Sequence, residues 1–414
     1  MKAVIIGGGI IGLCSAWYLQ KAGWDVTVLD KGDLEDNCSF GNAGMIVPSH
    51  FVPLASPGIV AKGIKWMFDS KSPFYVKLAL SRKLASWGVQ FIRHANQKHA
   101  DRSAPYLRDL NVLSSQLYKE LAGQPGFDFA LEQKGIMMYY KTPQAGEEEM
   151  HLAETARSLG LDVSALTAAE AQQMEPEVKL DVAGAVHYRC DAHLYPNKLM
   201  KQLIKVIREN GGTIRTHCPV SSIDTENGKI KNVHTGSESF TGDVFVITGG
   251  SWLPEIAKMA GIHIPLMPGK GYSITEEQPA IKLAIPAILC EAKVAITPMD
   301  GRMRYGGTME IAGINDHINL NRVKGIIESV PKYFPNLQPA MPAVKDIWYG
   351  FRPCSPDGMP YIGRSRKLSN TIIAGGHSMM GLSLGPATGK LVAELATGEA
   401  LSVKADAFDP ERFS

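Results

Sequence analysis

Residues 2–12 read KAVIIGGGIIG, and a helical pattern carries the chain from there to DVTVLD at 25–30. Residues 3–6 are a continuous apolar run, as suits a parallel strand covered on both faces. Gly7, Gly9 and Gly12 follow with G-x-G-x-x-G spacing. Gly7 permits the tight turn, Gly9 lets backbone approach a pyrophosphate, and Gly12 allows close helix–strand packing. Ile10, Ile11, Leu13, Ala16, Trp17 and Leu19 then form an apolar stripe at helical spacing. Asp25–Leu29 is the second strand, which closes a βαβ start of about 30 residues. Asp30, followed by Lys31, ends that strand about 20 residues beyond the glycines, where an acid accepts bonds from ribose hydroxyls. Strand, glycine turn, helix, strand and terminal acid together specify dinucleotide binding. Asp30 suits FAD and NAD alike.

The same style returns later. Residues 196–210 have helical spacing and end at Gly211-Gly212, and short strands follow over 213–240, broken by the turn at Glu226-Asn227-Gly228. Residues 243–247 and 371–374 are further buried strands, each running into glycines, and a helix is expected over 386–397. A nucleotide-binding domain assembled from the beginning, middle and end of the chain fits this pattern. We expect it to take residues 1–47, 190–253 and 348–414, with a mixed-sheet substrate domain inserted as 48–189 and 254–347.

Composition narrows the function. With 414 residues, 45% hydrophobic and a net charge of +2, the chain has a sizeable core and lacks the basic excess of bulk nucleic-acid binders. No run approaches the roughly 18 apolar residues of a membrane span. The first strand begins at once, which leads us to expect a cytoplasmic protein. Cys14, Cys38, Cys190, Cys218, Cys290 and Cys354 are scattered without metal-ligand spacing and read as reduced thiols, so no metal is expected.

The stretch Cys38-Ser39-Phe40-Gly41-Asn42-Ala43-Gly44-Met45 resembles the flavin-covering loop of the D-amino-acid oxidase and glycine oxidase superfamily. The resemblance is closer to bacterial D-amino-acid dehydrogenases. It continues through Pro57-Gly58, Ile64-Lys65-Trp66-Met67, Lys270-Gly271-Tyr272-Ser273, Gly306-Gly307 and Gly350-Phe351-Arg352-Pro353-Cys354-Ser355-Pro356-Asp357-Gly358-Met359-Pro360, and it ends in Gly376-His377 and Gly381-Leu382. It implies an α/β (α+β) fold, a Rossmann-like FAD-binding domain with an inserted substrate domain, and non-covalent FAD in an extended pose. Gly7, Gly9, Ile10, Ile11, Gly12, Asp30 and Lys31 would hold the adenosine diphosphate half, with Val220 at the adenine and Gly249 at the pyrophosphate. Ser39, Asn42, Ala43, Gly44, Met45 and Gly350 would line the flavin ring, and His377, Met380, Gly381 and Leu382 would reach it from the C-terminal segment. Ser378 departs from the commoner Gly-His-Gly of the family, although its backbone N–H remains a candidate donor.

Arg352 is the expected substrate residue, because a planar guanidinium grips an amino-acid carboxylate through two bonds. Tyr272 is either a second carboxylate partner or a core tyrosine. A lysine in a turn is usually solvated, which is the expectation for Lys270. Asp357 is expected to bond turn amides, and His50 to be a surface or packing histidine. The activity implied is hydride transfer from the α-carbon of a small amino acid to FAD, giving an imino acid and then an oxo acid and ammonia. D-proline or a hydroxyproline epimer is a candidate substrate. Three alternatives stay open: an oxidase of glycine, sarcosine or an L-amino acid that uses oxygen, a 2-hydroxy-acid oxidoreductase, and a non-catalytic flavoprotein subunit. Residues 51–100 carry eight Lys or Arg against one acid, Asp69, interleaved with Trp66, Phe68, Phe74, Tyr75, Trp87 and Phe91. Leu80, Leu84, Trp87 and Phe91 share a helical face. This segment either docks on the inner face of an anionic membrane, where a quinone takes the electrons, or only covers the active site.

Overall fold

The computed structural model describes residues 1–66, 71–77 and 81–414. Met67, Phe68, Asp69 and Leu80 of the sequence reading lie outside the described residues. The apolar runs become a six-stranded sheet around β1 (Lys2–Ile6), with α1 (Ile10–Lys21) leading to β2 (Asp25–Leu29). Its order is Tyr361–Arg364, Thr371–Gly375, Val244–Ile247, β1, β2, Thr213–Arg215, and only the Tyr361–Arg364 edge is antiparallel. Alternate side chains of β1 serve two cores, as strand geometry requires. Ala3 and Ile5 pack with α1 and with the helices Pro196–Glu209 and Gly385–Thr397. Val4 and Ile6 pack on the other face against Ile223, Ile230 and Val233 of a small three-stranded sheet. That sheet contains the expected turn, with Asn227 and Gly228 both at positive φ (51° and 70°) as a tight hairpin demands. The α/β class expected from the sequence is the class observed.

A second, mixed sheet of nine strands carries the other half of the molecule. Its central strands Met267–Glu276 and Arg302–Ile311 pair antiparallel, and the helix Leu320–Tyr333 buries Val323, Ile326 and Val330 against it. Trp348–Cys354 hydrogen-bonds along Met267–Glu276, with Arg352 opposite Gly269. This strand, grouped with the dinucleotide part in the sequence reading, therefore runs along the edge of the large sheet and then returns toward the six-stranded one.

The C-terminal tail is locked to that return by a buried ion pair. Arg412 donates to both carboxylate oxygens of Asp357 (2.7 and 2.9 Å) and to the carbonyl of Met359 (2.8 Å), and it stacks 4.1 Å from the Tyr361 ring centre. Asp357 also accepts from the Met359 N–H, the turn role expected of it. Burial pushes the Asp357 carboxyl up, but the Arg412 guanidinium outweighs it and the net shift is downward. Removing one partner of such a pair leaves the other charge buried and alone, at a cost of about 3 kcal/mol. Arg412→Ala is therefore expected to lower stability by about that amount, read as a drop in the urea midpoint. An unchanged midpoint would remove the pair from the account of how the tail is held.

Candidate active site

One cavity of about 1770 Å³ runs between the two sheets, from the glycine turn after β1 to the strands around Arg352. Ordinary ligand pockets reach about 1000 Å³, so this one has room for an extended dinucleotide together with a small substrate. The lining is mostly apolar.

At the first end, the glycines answer to different constraints. A Cβ on Gly12 would lie 1.8 Å from the Gly7 carbonyl oxygen, and one on Gly7 (φ 112°) would lie 2.6 Å from the Thr248 oxygen. The protein itself forbids side chains there. Gly9 is different: its φ of −72° suits any residue, and a Cβ would meet only Ser39 Oγ, at 3.6 Å. Nothing in the chain requires glycine at that position, whereas a phosphate drawn against the helix start does. Ser39 Oγ accepts from the Ile10 N–H (3.0 Å), which leaves its own proton free to donate. Asp30 accepts from the N–H groups of Gly8 (2.6 Å) and Gly32 (2.8 Å), which aims its carboxylate along the cavity wall. Lys31 sits 3.3 Å from the Trp252 ring centre, and burial lowers its pKa. Ile10, Ile11, Val220 and Gly249 also border this end. These residues fit the adenosine diphosphate half of FAD.

In the middle, residues 36–44 are held by groups from distant strands. The buried Arg304 guanidinium donates to the carbonyls of Phe40 (2.8 Å) and Asn42 (2.7 Å), to Asn197 Oδ1 (3.1 Å) and to Thr275 Oγ1 (2.9 Å). Ser273 Oγ donates to the Gly41 carbonyl. The Trp348 indole crosses Gly41 and Gly350, at which a Cβ would come within 1.9 and 2.2 Å of the ring. Gly350 thus also lines the cavity, and its lack of a side chain is explained by Trp348. Asn42, Ala43 and Met45, expected on the flavin ring, line the cavity. Gly12 and Gly44 do not. At Gly44 (φ 74°), expected on the flavin ring, the Leu194 carbonyl lies 2.3 Å from where a Cβ would stand.

His377, Met380, Gly381 and Leu382 reach the cavity from the C-terminal segment. The His377 ring itself is engaged with Thr388 Oγ1 (2.9 Å), and burial drops its pKa to about 3. It therefore offers the site its main chain and no titrating imidazole. Ser378 adopts the left-handed φ of 51° that glycine would take freely. Its N–H, a candidate donor in the sequence reading, is consumed by the Pro353 carbonyl.

At the far end, Arg352 extends across Gly271, where a Cβ would lie 1.7 Å from Nη1. Nη1 donates to the Thr308 carbonyl (2.7 Å). Burial lowers the Arg352 pKa, and the only charges opposing that shift are the weak ones of Cys354 and Cys38. Among the described residues no carboxylate pairs with this guanidinium. Thr308 is itself unusual, a β-branched residue at φ 65° whose buried Oγ1 has no partner. Such strain costs on the order of 1–3 kcal/mol and persists where the surroundings impose it.

Three expectations are refined here. Tyr272 borders the cavity, but its hydroxyl donates to Glu310 Oε2 (3.3 Å) and accepts from the Asn319 N–H (3.1 Å), so this group belongs to the core of the large sheet. Lys270 is neither in a turn nor solvated. It lies fully buried in a strand, bonded to the carbonyls of Asn315 and His317 and held 4.3 Å from the Tyr349 ring centre. His50, expected to be a surface or packing histidine, lines the cavity together with Lys293. Sequence reasoning missed Thr308, Trp348 and Arg304. The Gly306-Gly307 pair beside Thr308 was the one available signal.

A family model described as FAD dependent oxidoreductase, DAO, matches residues 2–395. The chain is 30% identical over 416 residues to a D-amino acid dehydrogenase of Vibrio vulnificus strain CMCP6, with 96% of each chain covered. Among solved structures it is similar to glycine oxidase from Geobacillus kaustophilus, with a TM-score of 0.79 and 22% identity over 99% of this chain and 98% of that one. It is also similar to L-proline dehydrogenase from P. horikoshii, with a TM-score of 0.74 and 22% identity over 100% and 97%. These two likenesses are likenesses of fold.

The glycine analysis yields a direct test. Gly9→Ala should fold with an apoprotein melting temperature equal to that of the wild-type apoprotein yet lose most of its bound FAD on gel filtration, because only the cofactor needs that space. Gly12→Ala should fail to fold at all. Full flavin absorbance in Gly9→Ala would mean that the phosphates lie elsewhere.

Proposed function

The chain belongs to the DAO family of FAD dependent oxidoreductases, and from that premise we propose that it oxidises a small amino acid at its α-carbon. The observation that carries this reading is Arg352: a half-buried guanidinium with no carboxylate partner among the described residues, at the far end of a cavity that begins at a dinucleotide loop. A substrate carboxylate supplies the missing charge through two parallel N–H···O bonds, and Gly271 and the Thr308 carbonyl fix the fork that receives it. FAD, when bound, supplies the hydride acceptor. The protein's part is to orient the α-carbon, which is most of what this chemistry asks of it. The name D-amino acid dehydrogenase borne by the Vibrio relative supports the D series. A primary amine gives an imino acid that hydrolyses to an oxo acid and ammonia, and a cyclic amine such as D-proline or a hydroxyproline epimer gives a cyclic imine. In this reading residues 1–47, 190–253 and 348–414 carry the cofactor, and 48–189 with 254–347 carry the substrate.

For the electron acceptor we favour a membrane quinone. The helix Arg82–His94 buries none of its residues, yet it lines the cavity with Leu84, Trp87 and Phe91. Ile64, Ile92, Ile314, Val344 and Met379 are exposed along the same cavity, and Lys62, Arg82, Lys83 and Arg93 lie on the neighbouring helices. An apolar rim with basic flanks suits the surface of an anionic bilayer. No helix among the described residues is long and apolar enough to cross one.

Anaerobic titration with paired D- and L-amino acids, proline and hydroxyproline epimers included, is expected to bleach the flavin band with one stereochemical series. Bleaching by 2-hydroxy acids alone, or by nothing, would overturn the proposal. Arg352→Ala should cost about 2–5 kcal/mol in kcat/KM. Gly271→Ala, which displaces the guanidinium without removing it, should act in the same direction. Holoprotein should also co-sediment with anionic vesicles and lose that binding in Ile92→Glu; equal sedimentation of both would sink the docking surface.

A further inference from the structure

The segment that leaves the flavin loop builds a short hydrogen-bond chain into the cavity wall. Ser49 donates its N–H to Asp191 Oδ1 (2.9 Å) and its hydroxyl to Asp191 Oδ2 (2.5 Å), and Ser49 Oγ lies 3.0 Å from His50 Nδ1. His50 is half-buried and borders the cavity, whereas Asp191 is 1% exposed. The remaining polar neighbour of the Asp191 carboxyl is the Cys190 thiol at 3.5 Å. No cation pairs with it among the described residues. A buried carboxylate without a cation is a costly way to tie down a loop, because a neutral asparagine would accept the same backbone bond. The chain therefore calls for a reason beyond packing.

The chain also stands beside the substrate end of the cavity. The carbonyl oxygen of Lys293, whose ammonium is the charge acting on His50, lies 3.4 Å from where a Cβ of Gly307 would be. Gly307 precedes Thr308, whose own carbonyl holds Arg352. Arg352 and His50 line the same cavity, so a substrate held by Arg352 shares that space with His50.

Resting on the functional reading above, we propose that His50, Ser49 and Asp191 form a proton relay that converts the bound substrate from ammonium to neutral amine. The N–H bond of the ammonium breaks as His50 Nε2 takes the proton. His50 Nδ1 passes its proton to Ser49 Oγ, and the Ser49 hydroxyl proton passes to Asp191 Oδ2. No electrons change hands, and the nitrogen keeps the lone pair it needs to form the C=N bond when the hydride leaves. One positive and one negative charge disappear together, so the dry cavity carries no net change.

The titration tendencies agree with this direction. Burial, with the Lys293 charge behind it, lowers the His50 imidazole to about 4, and burial raises the Asp191 carboxyl to about 7. The proton crosses the imidazole and rests on the carboxyl. The other titratable groups facing the chain are the Cys190 thiol and the Tyr188 hydroxyl, both pushed up by burial and neutral, with the Glu149 carboxyl beyond Tyr188 also pushed up. Lys293 is the neighbouring cation, and its charge opposes a resting imidazolium.

Two readouts on the holoprotein test the relay. In anaerobic stopped flow, the wild-type rate of flavin reduction should fall as pH drops through about 7, because Asp191 must be ionised to accept. In Asp191→Asn the amide N–H donates to Ser49 Oγ, which turns the Ser49 hydroxyl toward Nδ1 and fixes a proton on Nε2. That variant should lose about 100-fold in the reduction rate and lose the limb near pH 7. Ser49→Ala breaks the chain at another atom and should show the same two losses. Independently of any substrate, 15N histidine spectra should show His50 protonated at Nδ1 above pH about 8 and at Nε2 below about 6, with Asp191→Asn fixed at Nε2. A wild-type pH profile in either variant, or a His50 tautomer indifferent to pH, overturns the relay. A tautomer that switches while no amine reduces the flavin overturns instead the functional reading, and with it the relay's role.

Discussion

The buried guanidinium of Arg304 is the interaction on which the site depends. It stands on a central strand of the nine-stranded sheet, yet two of its bonds go to carbonyls of the loop that follows β2. Burial lowers its pKa only to about 10, so it remains charged at neutral pH and its bonds are charge-assisted. Without it, residues 40–42 would bury carbonyl oxygens unpaired, which folded proteins rarely tolerate. The loop, the sheet and the cavity between them thus share one set of bonds, and the cavity's width is set by the chain itself.

Glycines then divide into those the chain needs and those a ligand needs. Gly7 and Gly12 are required by backbone a few ångströms away, Gly41 and Gly350 by the Trp348 ring, and Gly271 by Arg352. Gly9 alone in the G-x-G-x-x-G stretch has room for a side chain in the protein as it stands and a backbone any residue could adopt. A single spacing in the sequence therefore combines two kinds of constraint, and only neighbouring atoms separate them.

The substrate end is built from charges that the protein leaves uncompensated. Among the described residues Arg352 lacks a carboxylate and Asp191 lacks a cation; Asp191 is buried and Arg352 half-buried. Each would be a liability in a fold selected only for stability. Arg352 lines the cavity, and Asp191 is linked to it through Ser49 and His50; in the proposed reading the two would complement a zwitterion, carboxylate to guanidinium and ammonium proton to carboxyl. Lys270 and Tyr272 show the contrary case, polar groups near the site whose bonds are satisfied within the protein and which add rigidity instead of chemistry.

The sequence by itself determined the βαβ opening, the discontinuous strands of the six-stranded sheet and the dinucleotide loop. These follow from periodicity of two or 3.6 and from glycine spacing, which are local properties. It also determined the hairpin at Asn227-Gly228, because few residues accept positive φ there. It could not show that Lys270 is buried, that Gly44 faces Leu194, or that the His377 ring is engaged with Thr388. Nor could it show that Ser49 and Asp191, 142 residues apart, share a hydrogen-bond chain with His50. Those facts depend on which side chains meet across the two sheets. Only the tertiary structure decides that, because burial and hydrogen-bond partners are set by distant segments and leave no period in the chain.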